Sequence, residues 1–144
     1  MRVVDLIRSR HEVYSIGEET TVHEAARYLR DHQVRSVGVL GGAGKLAGVI
    51  SQSDISDKVA AENKCPAWMR VSEIMTRDLL VVHPEIPLEE CLRLMEKHGV
   101  FHLVVTEESG RFRGMISVAD LLKIIASDHK ARADMFEAFA FPQR

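Results

Sequence analysis

Cysteine is scarce in this chain: Cys65 and Cys91 are the only two among 144 residues, and their spacing matches no zinc or redox pattern. A disulfide framework is excluded, and two reduced thiols in a cytoplasmic protein are the expectation. Long apolar runs are missing too. Nowhere do ~18 apolar residues follow one another, so nothing reads as a bilayer span. The opening stretch MRVVDLIR breaks its apolar residues with Asp5 and Arg8, unlike a signal peptide. Neither sign of charge dominates. With 19 basic and 21 acidic residues the net charge is −2, and no basic tract is dense enough to follow a phosphate backbone. Nucleic acid and membrane are therefore not expected partners, while a local basic pocket for one small anion stays open.

Apolar residues make up 46% and charged residues 28%, the balance of a folded globular protein. A chain of 144 residues can bury one core without metal or disulfide staples. The chain also repeats itself. A shift of 66 carries Thr21 onto Pro87 and lays Val22, Ala25, Ala26 and Leu29 over Leu88, Cys91, Leu92 and Met95. Both sets fall at i, i+3, i+4 and i+7, the buried stripe of a helix. Without a gap, the same shift pairs His32 with His98, Val34 with Val100, Val39 with Val105 and Gly44 with Gly110. It goes on to pair Gly48 with Gly114, Ile50 with Ile116, Ser51 with Ser117 and Asp54 with Asp120. One offset running through helix, loop and strand signals marks a duplication. Val3 to Ile7 and Val71 to Met75 also resemble each other, but only after a two-residue gap.

Each copy predicts the same order of elements. A short apolar stretch, Val13 to Ile16 or Leu79 to Val82, leads into a helix. Thr21 with Glu24 caps the first helix, and Pro87 with Glu89 and Glu90 opens the second. They stop near Gln33 and at Gly99, where glycine suits a left-handed position. Hairpins follow: Ser36 to Leu40 and Leu46 to Ile50 around Gly41-Gly42-Ala43-Gly44, and His102 to Thr106 and Phe112 to Ile116 around Ser109-Gly110. A second helix begins at Ser51 or Ser117 and turns Ile55 and Val59, or Leu121, Leu122 and Ile125, inward. The boundaries are 1–62 for the first repeat, 63–70 for a linker containing Pro66, 71–127 for the second repeat and 128–144 for a helical tail. In the tail Met135, Phe136 and Phe139 share a helical face, with Phe141 beyond. That face either covers the chain's own core or buries against another subunit. The fold class is α/β (α+β): two βαββα-type units, each too small to be secure alone. They are expected to pack with pseudo-twofold symmetry and to leave two related clefts at their seam.

The sharpest pattern occurs twice, as Gly48-Val49-Ile50-Ser51-Gln52-Ser53-Asp54-Ile55 and Gly114-Met115-Ile116-Ser117-Val118-Ala119-Asp120-Leu121. A strand ends at the Ser and a helix begins there. Ser-x-x-Asp at such a place is close to a capping box, and a cap worth about 1 kcal/mol explains the Ser without a ligand. A carboxylate beside a helix N-terminus also suits a nucleoside: the Asp can accept two ribose hydroxyls, and free helix N–H groups favour phosphate. The two readings are compatible.

The repeated unit resembles the CBS domain, named for cystathionine β-synthase, and the tandem pair resembles a Bateman module. The resemblance covers roughly residues 3 to 126. It rests on the doubled motif, on Ser72-Glu73-Ile74-Met75-Thr76 opening the second copy, and on Val34-Arg35-Ser36-Val37-Gly38-Val39. It implies adenosine derivatives (AMP, ATP, and in some members NAD or S-adenosylmethionine) bound in the inter-repeat clefts. By the same resemblance Asp54 and Asp120 would hold ribose, with Ser51, Ser53 and Ser117 nearby. Val49, Met115 and Thr76 would pack against adenine, and Arg35 and His102 are the candidates for the phosphates. The family's frequent second-strand proline is replaced by Gly38 and Val104. Phe101 stands where the first copy has Arg35, so the two clefts should differ in their preference for phosphate. The resemblance further implies a homodimer, a flat disc of four repeats, and the expectation is that it reports ligand state to a protein target.

Other constellations carry less. His98 and His102 are separated by Gly99, where the helix should end, and no Cys or acidic partner has ligand spacing to them, so no metal is expected. Gly41-Gly42-Ala43-Gly44 lacks the Lys-Ser/Thr of a Gly-rich phosphate loop, and no nucleophile elbow is present. The expectation is a cytoplasmic regulatory module that binds adenine nucleotides, with no catalytic residues and no catalytic cofactor. The alternative is a ligand-free dimeric scaffold for protein interactions.

Overall fold

In the computed structural model, which describes residues 1–8, 13–127 and 129–140, the chain opens with α1 (Val3–Arg8) and then builds the same set of elements twice. The first set is β1 (Ser15–Gly17), α2 (Val22–His32), β2 (Ser36–Leu40), β3 (Leu46–Ser51) and α3 (Gln52–Ile55). The second is β4 (Val81–Val82), α4 (Leu88–His98), β5 (His102–Thr106), β6 (Phe112–Ser117) and α5 (Val118–Ser127), followed by α6 (His129–Ala140). Two three-stranded sheets result, ordered β1-β2-β3 and β4-β5-β6. In each, a helix crosses over between two parallel strands, the connection that parallel pairing requires. Even the register repeats. Ser15 pairs with Gly38 and Ile16 with Val39, as Val81 pairs with Val104 and Val82 with Val105.

The helix ends repeat as well. Thr21 caps α2 as expected, its Oγ1 accepting from the Glu24 N–H at 3.1 Å. Both helices stop at a residue in the left-handed region, Gln33 (φ 54°) and Gly99 (φ 63°). The next N–H returns to the last turn in each: Val34 donates to the Leu29 carbonyl and Val100 to that of Met95, both at 3.0 Å. These bonds occupy carbonyls that the helix itself leaves without a donor.

The chain divides into two compact units that do not follow the order of the repeats. One comprises Val13–Leu79 with Ser109–Phe112, and the other Met1–Glu12, Leu80–Glu108 and Arg113–Arg144. Each repeat's opening segment has thus been exchanged. Val71, Ile74 and Met75 complete a core made by Val22, Ala25, Leu29, Val37, Val39, Ile50 and Val59. Val3 and Ile7 do the same for Val82, Leu88, Cys91, Met95, Leu103, Val105, Ile116, Leu121 and Ile124. A shift of 68, Val3 onto Val71, relates the two exchanged segments bond for bond. Val71 N–H donates to the Thr20 carbonyl and Val3 N–H to that of Ile86, at 2.8 and 2.9 Å. Arg70 ion-pairs with Glu19 as Arg2 does with Glu85. The two-residue gap between the offsets marks segments that change partners.

Three expectations are corrected. The second helix of the first repeat is α-helical only over Gln52–Ile55; Ser56–Ala60 is a π turn closed by a 2.8 Å bond from the Ala61 N–H to the Ser56 carbonyl. Leu122 does not face inward. It is 58% exposed, because Leu121 and Ile124 take the buried side of α5 and Leu122 lies about 100° round from Leu121. The aromatic face of the tail splits: Met135 and Ala138 are buried, Met135 within the core of its own unit, while Phe136 is 68% exposed. Phe141 and the side chains of Ile125 and Phe139 lie outside the described residues. Among the described residues no helix is long and apolar enough to cross a membrane.

Replacing Gln33 by Gly should raise stability by about 0.5–1 kcal/mol, since glycine occupies the left-handed position without the steric penalty of a Cβ. Gly99→Ala should lower it by about 1 kcal/mol, with both changes read from denaturant midpoints. The Cys91 thiol is pushed up to about 12, chiefly by burial and then by Glu89 and Glu90, whereas Cys65 is exposed. Mass spectrometry after thiol alkylation of the native chain at neutral pH should therefore find Cys65 labelled and Cys91 unmodified until unfolding.

Candidate functional site

The site begins with a glycine. β3 reaches Gly48, where a Cβ would meet the Met75 sulfur at 2.8 Å and the Thr76 carbonyl oxygen at 2.9 Å. Only glycine lets the exchanged segment come this close. Its backbone then joins the strand: Val49 N–H donates to the Thr76 carbonyl at 3.0 Å and Thr76 N–H to that of Val49 at 2.8 Å. Thr76 is thereby delivered beside the end of β3.

At that end the backbone of Ser51 is extended, and α3 starts. Asp54 N–H donates to Ser51 Oγ at 3.1 Å while Ser51 N–H donates to Asp54 Oδ2 at 3.0 Å, a reciprocal capping box. Asp54 is only 6% exposed, and a buried carboxylate demands partners. It has them. Ser51 Oγ donates to Oδ2 at 3.0 Å, Thr76 Oγ1 donates to Oδ1 at 3.1 Å, and the Lys58 ammonium lies 2.9 Å from Oδ1. Lys58 also donates to the Ile74 carbonyl at 2.8 Å.

The second junction repeats the backbone plan. Ser117 N–H donates to Asp120 Oδ2 at 2.8 Å and Asp120 N–H to Ser117 Oγ at 3.2 Å. The first N–H of each following helix finds the matching carbonyl, Gln52 on Arg35 at 2.9 Å and Val118 on Phe101 at 3.0 Å. Asp120 is half-buried where Asp54 is buried. The position matching Lys58 is Ile124, a core residue.

Of the residues singled out from the sequence, Ser51, Asp54, Val49 and Thr76 come together at the first junction, and Ser117 pairs with Asp120 at the second. Ser53 is exposed on α3, and Arg35 is exposed just before β2, tied to the junction by its carbonyl. Met115 on β6 and His102 at the start of β5 are half-buried. Gly38 has a local cause: a Cβ there would fall 2.6 Å from the Phe112 ring. Lys58 was not singled out, although its place four residues after Asp54 is a helix ion-pair signal. Among the described residues no three His, Cys, Asp or Glu side chains gather as metal ligands would.

Comparison with known proteins agrees with this architecture. A profile of the CBS domain matches residues 3–61 and 71–127. An uncharacterized protein of Methanocaldococcus jannaschii is 30% identical over 115 residues, 80% of this chain and 37% of that protein. The chain thus spans little more than a third of that relative's length, and less than a quarter of two others it matches. A protein with CBS domains from Burkholderia ambifaria superposes with a TM-score of 0.79 at 26% identity, over 89% of this chain and 96% of that one. The CBS domain pair of protein MJ0100, solved in complex with 5′-methylthioadenosine and S-adenosyl-L-methionine, gives a TM-score of 0.77 at 25% identity, over 88% of this chain and 96% of that one.

Gly48→Ala should destabilise the fold by about 1–3 kcal/mol, the range for overpacking a filled site. Because the clash is with the segment carrying Thr76, amide exchange at Val49 and Thr76 should accelerate more than elsewhere in the same unit.

Proposed function

The chain belongs to the CBS-domain family, and from that premise we propose that it is a regulatory module whose ligand is a small molecule containing adenosine. The observation that carries the reading is the doubled junction. Twice a strand delivers a Ser and an Asp to one place, held by the same two reciprocal bonds, with the carboxylate at least half shielded from water. A shielded carboxylate accepts sugar hydroxyls with charge-assisted strength. The adenosine compounds bound by the MJ0100 pair support the class of ligand.

AMP, ATP, NAD and S-adenosylmethionine are the specific candidates. Asp54 and Asp120 take ribose, with Ser51, Ser53 and Ser117 nearby, while Val49, Met115 and Thr76 lie against adenine and Arg35 or His102 meets phosphate. The output is differential binding: a ligand that prefers one arrangement of the chain shifts it toward that arrangement, and a protein target reads the change. In this reading the chain works as a homodimer in the cytoplasm and has no catalytic step of its own. A second reading, the ligand-free dimeric scaffold, is favoured by the exposed Phe101, Leu122 and Phe136.

Thermal unfolding with AMP, ATP, NAD, S-adenosylmethionine and 5′-methylthioadenosine separates the two. A ligand at 100 times its Kd should add about 2.7 kcal/mol, and the double variant Asp54→Ala, Asp120→Ala should lose the shift. A flat response to all five at millimolar concentration, with the dimer intact, selects the scaffold.

A further inference from the structure

We propose that Lys58 is a tethered competitor for the ligand at the first junction, a latch on Asp54 that a nucleoside must displace before its ribose can be held there. The inference rests on the adenosine-binding reading above and adds a form of regulation to it.

A carboxylate offers about four acceptor positions, two on each oxygen. At Asp54 all are in use: Oδ1 by the Lys58 ammonium and the Thr76 hydroxyl, Oδ2 by the N–H and the hydroxyl of Ser51. A ribose diol needs two of these positions: Lys58 must leave one on Oδ1, and a serine or threonine hydroxyl must turn away to free the second. The Ser51 N–H cannot go without undoing the cap of α3, whereas the Ser51 hydroxyl donates outside the cap and can turn in place. The backbone of Thr76 is fixed by its pairing with Val49, and its hydroxyl can turn without leaving. Lys58 is the partner that must be expelled, because an ammonium keeps a donor on Oδ1 however it turns. Its side chain is 46% exposed against 8% for that of Asp54, and its long stem can swing into water, where the ammonium is well solvated.

The local backbone supports a specific role for this lysine. Lys58 lies in the π turn Ser56–Ala60, and such turns inside helices are uncommon and concentrate at functional places. The matching stretch of the second repeat lies within the regular helix α5, with Ile124 in the core where Lys58 would be. The two junctions share their capping bonds and differ in the residue at this position. A ligand meeting the first junction sees its affinity reduced by the fraction of molecules in which Lys58 is seated.

The test isolates the first junction in the full chain by working in an Asp120→Ala background, with calorimetric titration of AMP and of 5′-methylthioadenosine, which has no phosphate. Lys58→Gln removes the charge and keeps a donor for the Ile74 carbonyl; Lys58→Met serves if the glutamine variant unfolds. Either change should tighten both ligands about tenfold or more, and adding Asp54→Ala should abolish the gain. Unchanged affinity would overturn the latch. Weaker binding of AMP alone would also overturn it, because Lys58 would then be a phosphate contact. If the unaltered chain binds an adenosine compound while these variants gain nothing, only the latch falls. If neither the unaltered chain nor any variant binds, the adenosine reading falls and the latch with it.

Discussion

Neither repeat can close its own core. Val71, Ile74 and Met75 sit among the apolar residues of the first repeat, and Val3 and Ile7 among those of the second. The exchanged segments are held by more than apolar contact. Val71 and Val3 donate their N–H groups to the carbonyls that precede α2 and α4, so the start of each helix is built against a piece of the other repeat. A unit of about sixty residues is marginal by surface-to-volume arithmetic alone, and the exchange makes the two halves of the duplication obligatory to each other.

The candidate site is a consequence of that exchange. Thr76 and the Ile74 carbonyl belong in sequence to the second repeat, yet they complete the surroundings of Asp54 and Lys58 in the first. Gly48 is the residue that permits it, because the Met75 sulfur and the Thr76 carbonyl occupy the space a side chain would need. The glycine that opens the motif, the serine that ends the strand and the aspartate that begins the helix therefore answer three separate demands: close approach, capping, and a carboxylate kept from water.

The duplication preserves whatever backbone accounting requires and lets the rest drift. The capping boxes and the carbonyls that receive Gln52 and Val118 are the same in both copies. Gln33 and Gly99 adopt one conformation with different side chains, because the helix end needs a left-handed residue and glycine is merely the easiest. Lys58 and Ile124 have diverged completely, one an ion-pair partner and the other core. Two junctions with one skeleton thus place different side chains at the same point of the helix that follows.

Periodicity and offset alone determined the duplication, the order of strands and helices, the buried stripes of α2 and α4, and the places where Ser51 and Ser117 start helices, since each follows from local spacing and capping chemistry. The pairing of Asp54 with Ser51 was legible for the same reason: its partners lie three residues apart. The Lys58 pair, four residues on, was within reach of the same local reasoning. Only the tertiary structure decided that the opening segments change partners, that Leu122 and Phe136 face outward, and that Thr76 fills an acceptor position of Asp54. Those outcomes depend on which surfaces meet across long stretches of chain. A residue's own neighbours in sequence do not encode that.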